Sequence, residues 1–343
     1  MLPDQFTRCY DIPARMISSA RTLKKLCVVV PGLNEGDSLH TLYQELMQVL
    51  GRAGWTLEII FIDDGSSDKT LLVCRQLHET NPNFQYISLS RNFGHQRALT
   101  AGLDVASGDA IVIMDADLQD PPEVVLEMIK LWEQGVDVVY GQRRSREGET
   151  FFKKATAKLF YRVLRLLSGT AIPEDTGDFR LMDIQVVEQL RKLREQGRFL
   201  RGLVSWLGFV QKPVFYDRKP RLQGVTKYPF LRMLRFGWDG ITAFSSLPLR
   251  LATLTGVLFS FAAFVMTVYY TFCKIYYPDD YVPGWASIMV AILGVGGVQL
   301  LFTGIVGEYL AKAFEELKER PLYIVRESSV SLPKPEPRGE RHP

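Results

Sequence analysis

Cysteine is scarce in this chain, with four among 343 residues. Cys9, Cys27, Cys74 and Cys273 show no CxxC or other zinc-like spacing, which reads as free thiols in a reducing compartment rather than a disulfide scaffold or a zinc module. Excess charge of either sign is also lacking. Lys and Arg number 41 against 38 Asp and Glu, a net +3, too little to argue for nucleic acid. No internal repeat is visible. No long apolar run opens the chain, and Asp4 and Asp11 interrupt its start. A cleaved leader is therefore not expected, and the first domain is expected to stay in the cytoplasm.

Charge is missing altogether from residues 251–273 and 284–307. At ~1.5 Å rise per residue, each run reaches roughly 35 Å as a helix. That spans a hydrocarbon layer ~30 Å thick with some tilt. The link between them, residues 274–283, carries Lys274 against Asp279 and Asp280. The outer flanks carry Arg232, Arg235 and Arg250 before, and Lys312, Lys318 and Arg320 after. The positive-inside rule then places both flanks and both termini in the cytoplasm. Basic residues ahead of the first run suit an anionic leaflet. A buried hairpin of a soluble protein is the competing reading, disfavoured because charge-free runs this long are rare in soluble domains.

Before these runs the chain alternates short apolar segments with helical patterns. Strands are expected at residues 26–30, 57–62, 84–89, 110–114 and 137–140. Helices are expected over 38–50, from about 68, over 96–106, and from Pro121-Pro122 to about 134. Ser66, Ser67 and Asp68 are candidate caps. Apolar strands alternating with helices predict a parallel sheet covered on both faces, with ligands beyond the C-terminal strand ends. Phe230, Leu231, Leu234, Trp238 and Ile241 share one face of a possible interfacial helix from residue 228. Leu310, Phe314 and Leu317 share one side of a later helix. The Pro- and charge-rich end, 327–343, is expected to be disordered.

The polar clusters fall at strand ends. DADLQ at 115–119 puts Asp115 and Asp117 one residue apart, an arrangement that can face one hard cation such as Mg2+ or Mn2+. A solvated loop with a helix cap at Asp120 is the bland alternative. PGLNE at 31–35 ends the first strand and DDGS at 63–66 ends the second. Each alone could be turn chemistry; their shared location points to one ligand. Carboxylates there suit ribose hydroxyls and base N–H groups.

Together these clusters resemble the family 2 glycosyltransferases of GT-A fold, and within them the polyprenyl-phosphate glycosyltransferases: bactoprenol glucosyltransferase foremost, with dolichol-phosphate mannosyltransferase and the undecaprenyl-phosphate aminoarabinose transferase. The matching text is VVVPGLNE, IDDGSSD, LSRNFG, DADLQDPPE, TGDFRLMD, QGVTKY and GEYL…RPLY, from about Leu26 to Tyr323. Leu33 stands where the family usually has Tyr. The resemblance implies an α/β fold: a GT-A-type doubly wound mixed sheet with a C-terminal two-helix transmembrane module. The expected organisation is an N-terminal arm (1–24), a cytoplasmic catalytic domain (25–227), interfacial helices (228–248), two spans (249–307), a juxtamembrane helix (308–326) and a disordered tail (327–343).

The resemblance also implies roles. Pro31, Asn34, Glu35 and Asp64 would line the nucleotide pocket. Asp115 would contact the sugar nucleotide, and Asp117 and Gln119, with Asp115, the metal. Arg143 would bind the acceptor phosphate, helped by Lys153 or Thr156. Asp178 would sit near the acceptor, and Arg198, Arg201 and Lys227 near phosphate groups. Arg144, Arg146 and Lys154 read as solvated or headgroup contacts, and His95 as structural. The implied reaction is inverting transfer of a hexose, glucose from UDP-glucose first, to undecaprenyl phosphate at the cytoplasmic membrane. GDP-mannose and UDP-4-deoxy-4-formamido-L-arabinose are alternative donors. A homotetramer is implied, and a Gly-rich second span (Gly294, Gly296, Gly297) allows close helix packing. A polysaccharide synthase would carry Q-x-x-R-W and more spans. A flippase would need polar residues in its spans. A membrane-anchored nucleotide-sugar binder would not need the Arg143 and Asp178 pair.

Overall fold

The computed structural model describes residues 21–51, 54–143, 176–217, 247–276 and 284–332. The chain divides into two compact units, one of Met1–Tyr161, Thr170–Lys227 and Pro321–Pro343, the other of Arg162–Gly169 and Tyr228–Arg320.

The first unit is built on an eight-stranded sheet. Its elements run β1 (Lys25–Gly32), α1 (Leu39–Leu50), β2 (Thr56–Asp63), α2 (Thr70–Thr80), β3 (Phe84–Leu89), α3 (His95–Val105), β4 (Ala110–Ile113), α4 (Glu123–Glu133) and β5 (Val138–Arg143). After these come β6 (Thr176–Asp183), α5 (Ile184–Lys192), α6 (Leu200–Trp206), β7 (Gln211–Tyr216) and, far along the chain, β8 (Val325–Ser328). The strand order is β7-β5-β6-β4-β1-β2-β3-β8. Pairs β1–β2, β1–β4, β2–β3 and β5–β7 are parallel. Strand β6 enters antiparallel between β4 and β5, so the sheet is mixed.

Alternate residues of each inner strand serve opposite faces. Leu26, Val28, Val30, Ile59 and Phe61 join the cluster formed with the buried stripes of α1, α2 and α4. The stripe on α1, Leu39, Leu42, Leu46 and Leu50, has the three- and four-residue spacing of one helix face. On the other face α3 lies so close that a Cβ at Gly102 would run into Val29 and Ile62. The thiols of Cys27 and Cys74 are free and buried in these layers. Burial pushes Cys27 up to about 12 and raises Cys74 as well. Native protein at pH 8 should therefore leave both unlabelled by a maleimide, and unfolding should expose both. Labelling of either in the native state, read by peptide mass, would contradict that packing.

Arg21–Lys24, expected in a loose arm, are tied to the body. Arg21 pairs with Asp137 at 2.7 Å and Asp183 at 3.1 Å and lies over the Trp132 ring, while Leu23 is buried. The expected disordered tail is corrected at its start. Strand β8 adds antiparallel to β3, pairing Ser88 with Glu327. Arg75 grips Glu327 with two hydrogen bonds, at 2.9 and 2.5 Å, and the Tyr86 hydroxyl donates to the same carboxylate. Just ahead, Leu322 is buried and the Tyr323 hydroxyl donates to Asp104 Oδ2 at 2.7 Å. These partners cover what would be an open edge.

The second unit holds two long helices, α7 (Leu247–Tyr276) and α8 (Trp285–Leu317). They pack together around an open groove of about 410 Å³, lined by Gly256, Phe259, Val295, Val298, Phe302 and Val306 among others. Large apolar side chains such as Leu258, Phe261, Phe264, Ile292, Leu300 and Leu301 are exposed. By length and hydropathy, Gly294–Leu317 alone among the described residues qualifies as a candidate membrane span, and Ala252–Met266 is a shorter apolar stretch. Two spans were expected; the later candidate also lies further along the chain than residues 284–307. The reason is that α8 runs unbroken through the boundary placed at residue 308. The possible interfacial helix from residue 228 lies outside the described residues.

Candidate active site

Strand order reverses between β4 and β1, opening a crevice at their C-terminal ends, where ligands bind in such sheets. Pro31 lies two residues past the last β1–β4 pair, Val29 with Ile113, so its missing N–H costs the ladder little. Four strand-end loops meet here and are stitched to one another.

The loop after β1 is fastened to the loop after β2. Asn34, in the left-handed region at φ 59°, donates its N–H to Ser66 Oγ at 2.8 Å and accepts the Ser67 N–H at 3.0 Å. Asn tolerates that conformation better than most residues. The Glu35 N–H donates to Thr70 Oγ1, and the Glu35 carboxylate accepts from Ser38. Asp64, expected to line a nucleotide pocket, is 4% exposed. Its two oxygens accept the N–H groups of Phe93 and Gly94 at 2.8 and 2.9 Å. It thereby shapes the loop after β3, and burial raises its pKa. Gly65 has φ 73°, and a Cβ there would strike the Arg91 backbone; this turn needs glycine.

DADLQ follows β4. Leu118 sits in the left-handed region at φ 57° with its side chain buried. Such a conformation persists in a bulky residue only when its surroundings hold it. Here the Gln119 N–H also donates to Asp117 Oδ1 at 3.2 Å. The alternative reading, a helix cap at Asp120, does not hold: α4 has Pro122 at its N-cap position without a side-chain cap bond. Asp120 instead accepts the Tyr216 hydroxyl at 2.6 Å.

Beside this loop lies a charged cluster. Asp178, on β6, is 5% exposed. The Arg201 fork clasps it through Nε at 2.8 Å and Nη2 at 3.3 Å. Gln96 donates to its Oδ2 at 3.0 Å, and His95 Nε2 is 3.2 Å from the same oxygen. His95 Nε2 is also 3.7 Å from Asp115 Oδ1, so one imidazole lies between the carboxylate just after β4 and that of β6. Burial alone would raise Asp178, yet His95 and Arg201, with Arg180 near, hold it well below the usual carboxylate range. Asp115 goes the other way: desolvation, then the carboxylates of Asp120, Asp178 and Asp117, push it up to about 6 against the pull of His95.

These placements revise several expectations. Arg201 is spent on Asp178, because a buried carboxylate requires a counter-charge. Arg198, 8% exposed, donates to the carbonyls of Leu190 and Leu193 at the end of α5. A helix C-terminus leaves carbonyls unsatisfied, and this arginine answers them rather than a phosphate. Arg143 ends β5 as the register partner of Tyr216 on β7, and its charge acts on the Tyr216 hydroxyl. Lys153, Thr156 and Lys227, with Arg144, Arg146 and Lys154, lie outside the described residues. His95, read as structural, and Gln96, Asp120 and Tyr216, given no role in chemistry, belong to the site. The signal for His95 was available: NFGHQ also follows a strand end.

Among the described residues, no three His, Cys, Asp or Glu side chains gather closely enough to form a metal cage. The donors of DADLQ, two carboxylates and an amide, are hard oxygen ligands. They suit an open Mg2+ or Mn2+ site completed by substrate phosphates. The surplus of negative charge around Asp115 fits a cation better than none.

Residues 27–191 match the family described as Glycosyl transferase family 2. An uncharacterized glycosyltransferase of Bacillus subtilis, YkcC, is 47% identical over 301 residues, covering 88% of this chain and 93% of its own length. The chain belongs to glycosyl transferase family 2. It is an enzyme of the glycosyltransferase class. A glycosyltransferase of Synechocystis, sll0501, is 46% identical over 88% of this chain and 94% of its own length. A prophage-derived bactoprenol glucosyl transferase of Shigella flexneri is 37% identical over 90% of this chain and all of its own length. The mixed α/β sheet agrees with the fold that the sequence motifs imply for this family.

Proposed function

We propose that this glycosyltransferase moves a hexose, glucose from UDP-glucose, onto undecaprenyl phosphate, inverting the anomeric carbon in one displacement. The observation that carries the reading is the meeting of DADLQ with Asp178, His95 and Arg143 at one end of the sheet. Kinship over full length with bactoprenol glucosyl transferases supports the sugar and the lipid.

The chemistry asks little proton transfer of the protein. A phosphate monoester is largely ionised near pH 7, so the acceptor arrives as its own nucleophile. What remains is to hold two anions together in register and neutralise developing charge. Pro31, Asn34, Glu35 and Asp64 form the donor side, directly or by shaping its loops. Arg143 receives the acceptor phosphate, as a planar fork suits. Asp178 holds His95, Gln96 and Arg201 in place between the two. Asp115, Asp117 and Gln119 would hold a divalent ion, Mg2+ or Mn2+, which would supply positive charge to offset that of the leaving diphosphate.

The apolar helices α7 and α8 expose large side chains on many sides, as membrane helices do. In this reading residues 25–227 form the cytoplasmic catalytic domain and 249–307 enter the inner membrane, so the acceptor's tail stays in lipid. Both termini are cytoplasmic, and four copies assemble.

Purified protein in detergent, given undecaprenyl phosphate and labelled donors in turn, tests this. UDP-glucose should yield a glycolipid well ahead of UDP-galactose, GDP-mannose and UDP-4-deoxy-4-formamido-L-arabinose. Preference for another donor would replace the sugar, and transfer only to a non-lipid acceptor would refute the lipid.

A further inference from the structure

Tyr216 and Asp120 have no part in the roles given so far, yet they form a built unit around Arg143. Arg143 and Tyr216 are register partners in the parallel β5–β7 pair, so their side chains leave the same face. The Tyr216 hydroxyl donates its only proton to Asp120 Oδ1 at 2.6 Å, and both residues are buried. A hydroxyl has one proton and two lone pairs. With the proton committed, the oxygen can only accept, and the guanidinium of its register partner Arg143 is the donor beside it. A short bond to a carboxylate also makes that oxygen a stronger acceptor.

The ring cannot drift. Phe179 meets it edge-on, with centroids 5.6 Å apart at 77°. A Cβ at Gly141 would lie 2.8 Å from both Phe179 and Tyr216, so only glycine admits this packing. Gly177, in the GDFR stretch, lies beside the guanidinium: a Cβ there would be in ordinary contact with Arg143 Nη2, at 3.6 Å. Asp120 in turn is covalently next to Gln119. The DADLQD loop and the arginine of β5 are thus joined through one phenol.

We infer that Tyr216, backed by the Asp120 carboxylate, is a positioning residue that fixes the Arg143 fork for the phosphate of the acceptor. This rests on the proposed role of Arg143. An arginine held beforehand loses less rotamer freedom on binding.

Binding rather than turnover tests it. Full-length protein in detergent is titrated with undecaprenyl phosphate, and separately with UDP-glucose, for the wild type, Arg143→Ala, Tyr216→Phe and the double variant. Tyr216→Phe keeps the ring and should weaken the lipid phosphate about tenfold, in line with one hydrogen bond to a charged group. UDP-glucose affinity should stay within about twofold. The double variant should bind no more weakly than Arg143→Ala, because the phenol acts only through the arginine. Asp120→Asn, which leaves Tyr216 in place, should weaken lipid binding in the same selective way and serves should Tyr216→Phe fold poorly. Lipid binding lost in Arg143→Ala but unchanged in Tyr216→Phe would overturn the inference alone. So would multiplicative losses in the double variant, or equal losses for lipid and donor. A wild type that does not bind undecaprenyl phosphate, or an Arg143→Ala that binds it normally, would instead overturn the functional reading and the inference with it.

Discussion

Asp117→Asn stops sugar transfer and leaves the protein folded. The substitution preserves size and shape, and an amide oxygen can still accept the Gln119 N–H that Asp117 Oδ1 now takes at 3.2 Å. The turn around Leu118 therefore survives. What disappears is one negative charge at the end of β4. In the proposed reaction that charge helps to retain the cation facing the leaving diphosphate. Loss of one well-placed electrostatic group of this kind costs about 10²–10³ in kcat. The checks are initial rates with labelled donor and a melting curve in the same detergent. A variant with near-normal turnover removes Asp117 from the cation site. A variant that melts much earlier than the wild type shows that the residue is mainly structural.

Asp178→Asn has its largest effect on stability. Asp178 is buried, and Arg201, His95 and Gln96 converge on it. Its backbone carbonyl and that of Gly177 also take the Arg180 guanidinium. Removing the carboxylate charge takes from Arg201 and the buried Arg180 the counter-charge that Asp178 supplies. Breaking one partner of a buried ion pair costs about 3–5 kcal/mol; the partial exposure of Arg201, 28% of its side chain, favours the lower end. A loss of about 3 kcal/mol corresponds to a melting drop of roughly 6–12 °C for a body of this size. The pH dependence has a definite sign. The folded pKa of Asp178 is depressed, so its contribution is complete above the ordinary carboxylate range and is lost as pH falls. The gap between wild type and variant should narrow below roughly pH 4, by about 1.4 kcal/mol per unit. A gap that widens in acid would contradict the arrangement.

Much of the first half of the sheet is legible in the sequence. Strands at residues 26–30, 57–62 and 84–89 appear as β1, β2 and β3, because β-branched and aromatic runs there are interrupted only by polar loops. The strands expected at 110–114 and 137–140 likewise appear as β4 and β5, whereas β6, β7 and β8 are not legible. Strand β6 carries Asp178, Arg180 and Asp183, and its charges hide its pattern; partners distant in sequence neutralise them. Strand β8 is four residues long and two of them are charged, and its pairing partner lies some 240 residues earlier, beyond the reach of local pattern. The same division holds at the site. Asp115, Asp117, Asp178 and Arg143 stand out as motif residues. The linkage of His95 to Asp178 and of Tyr216 to Asp120 joins residues more than 80 positions apart, and only the folded sheet reveals it.

The late arrival of β8 bears on biogenesis. Translation delivers β3 early, but the segment that seals its flank emerges only after both long apolar helices have been made. Until then the nascent domain carries bare peptide groups along one border, a ready template for pairing with another unfinished copy. Maturation of the sheet-bearing unit therefore waits on the helices being made first, and a message cut short before residue 325 would yield a product prone to clumping even though DADLQ and GDFR are already present.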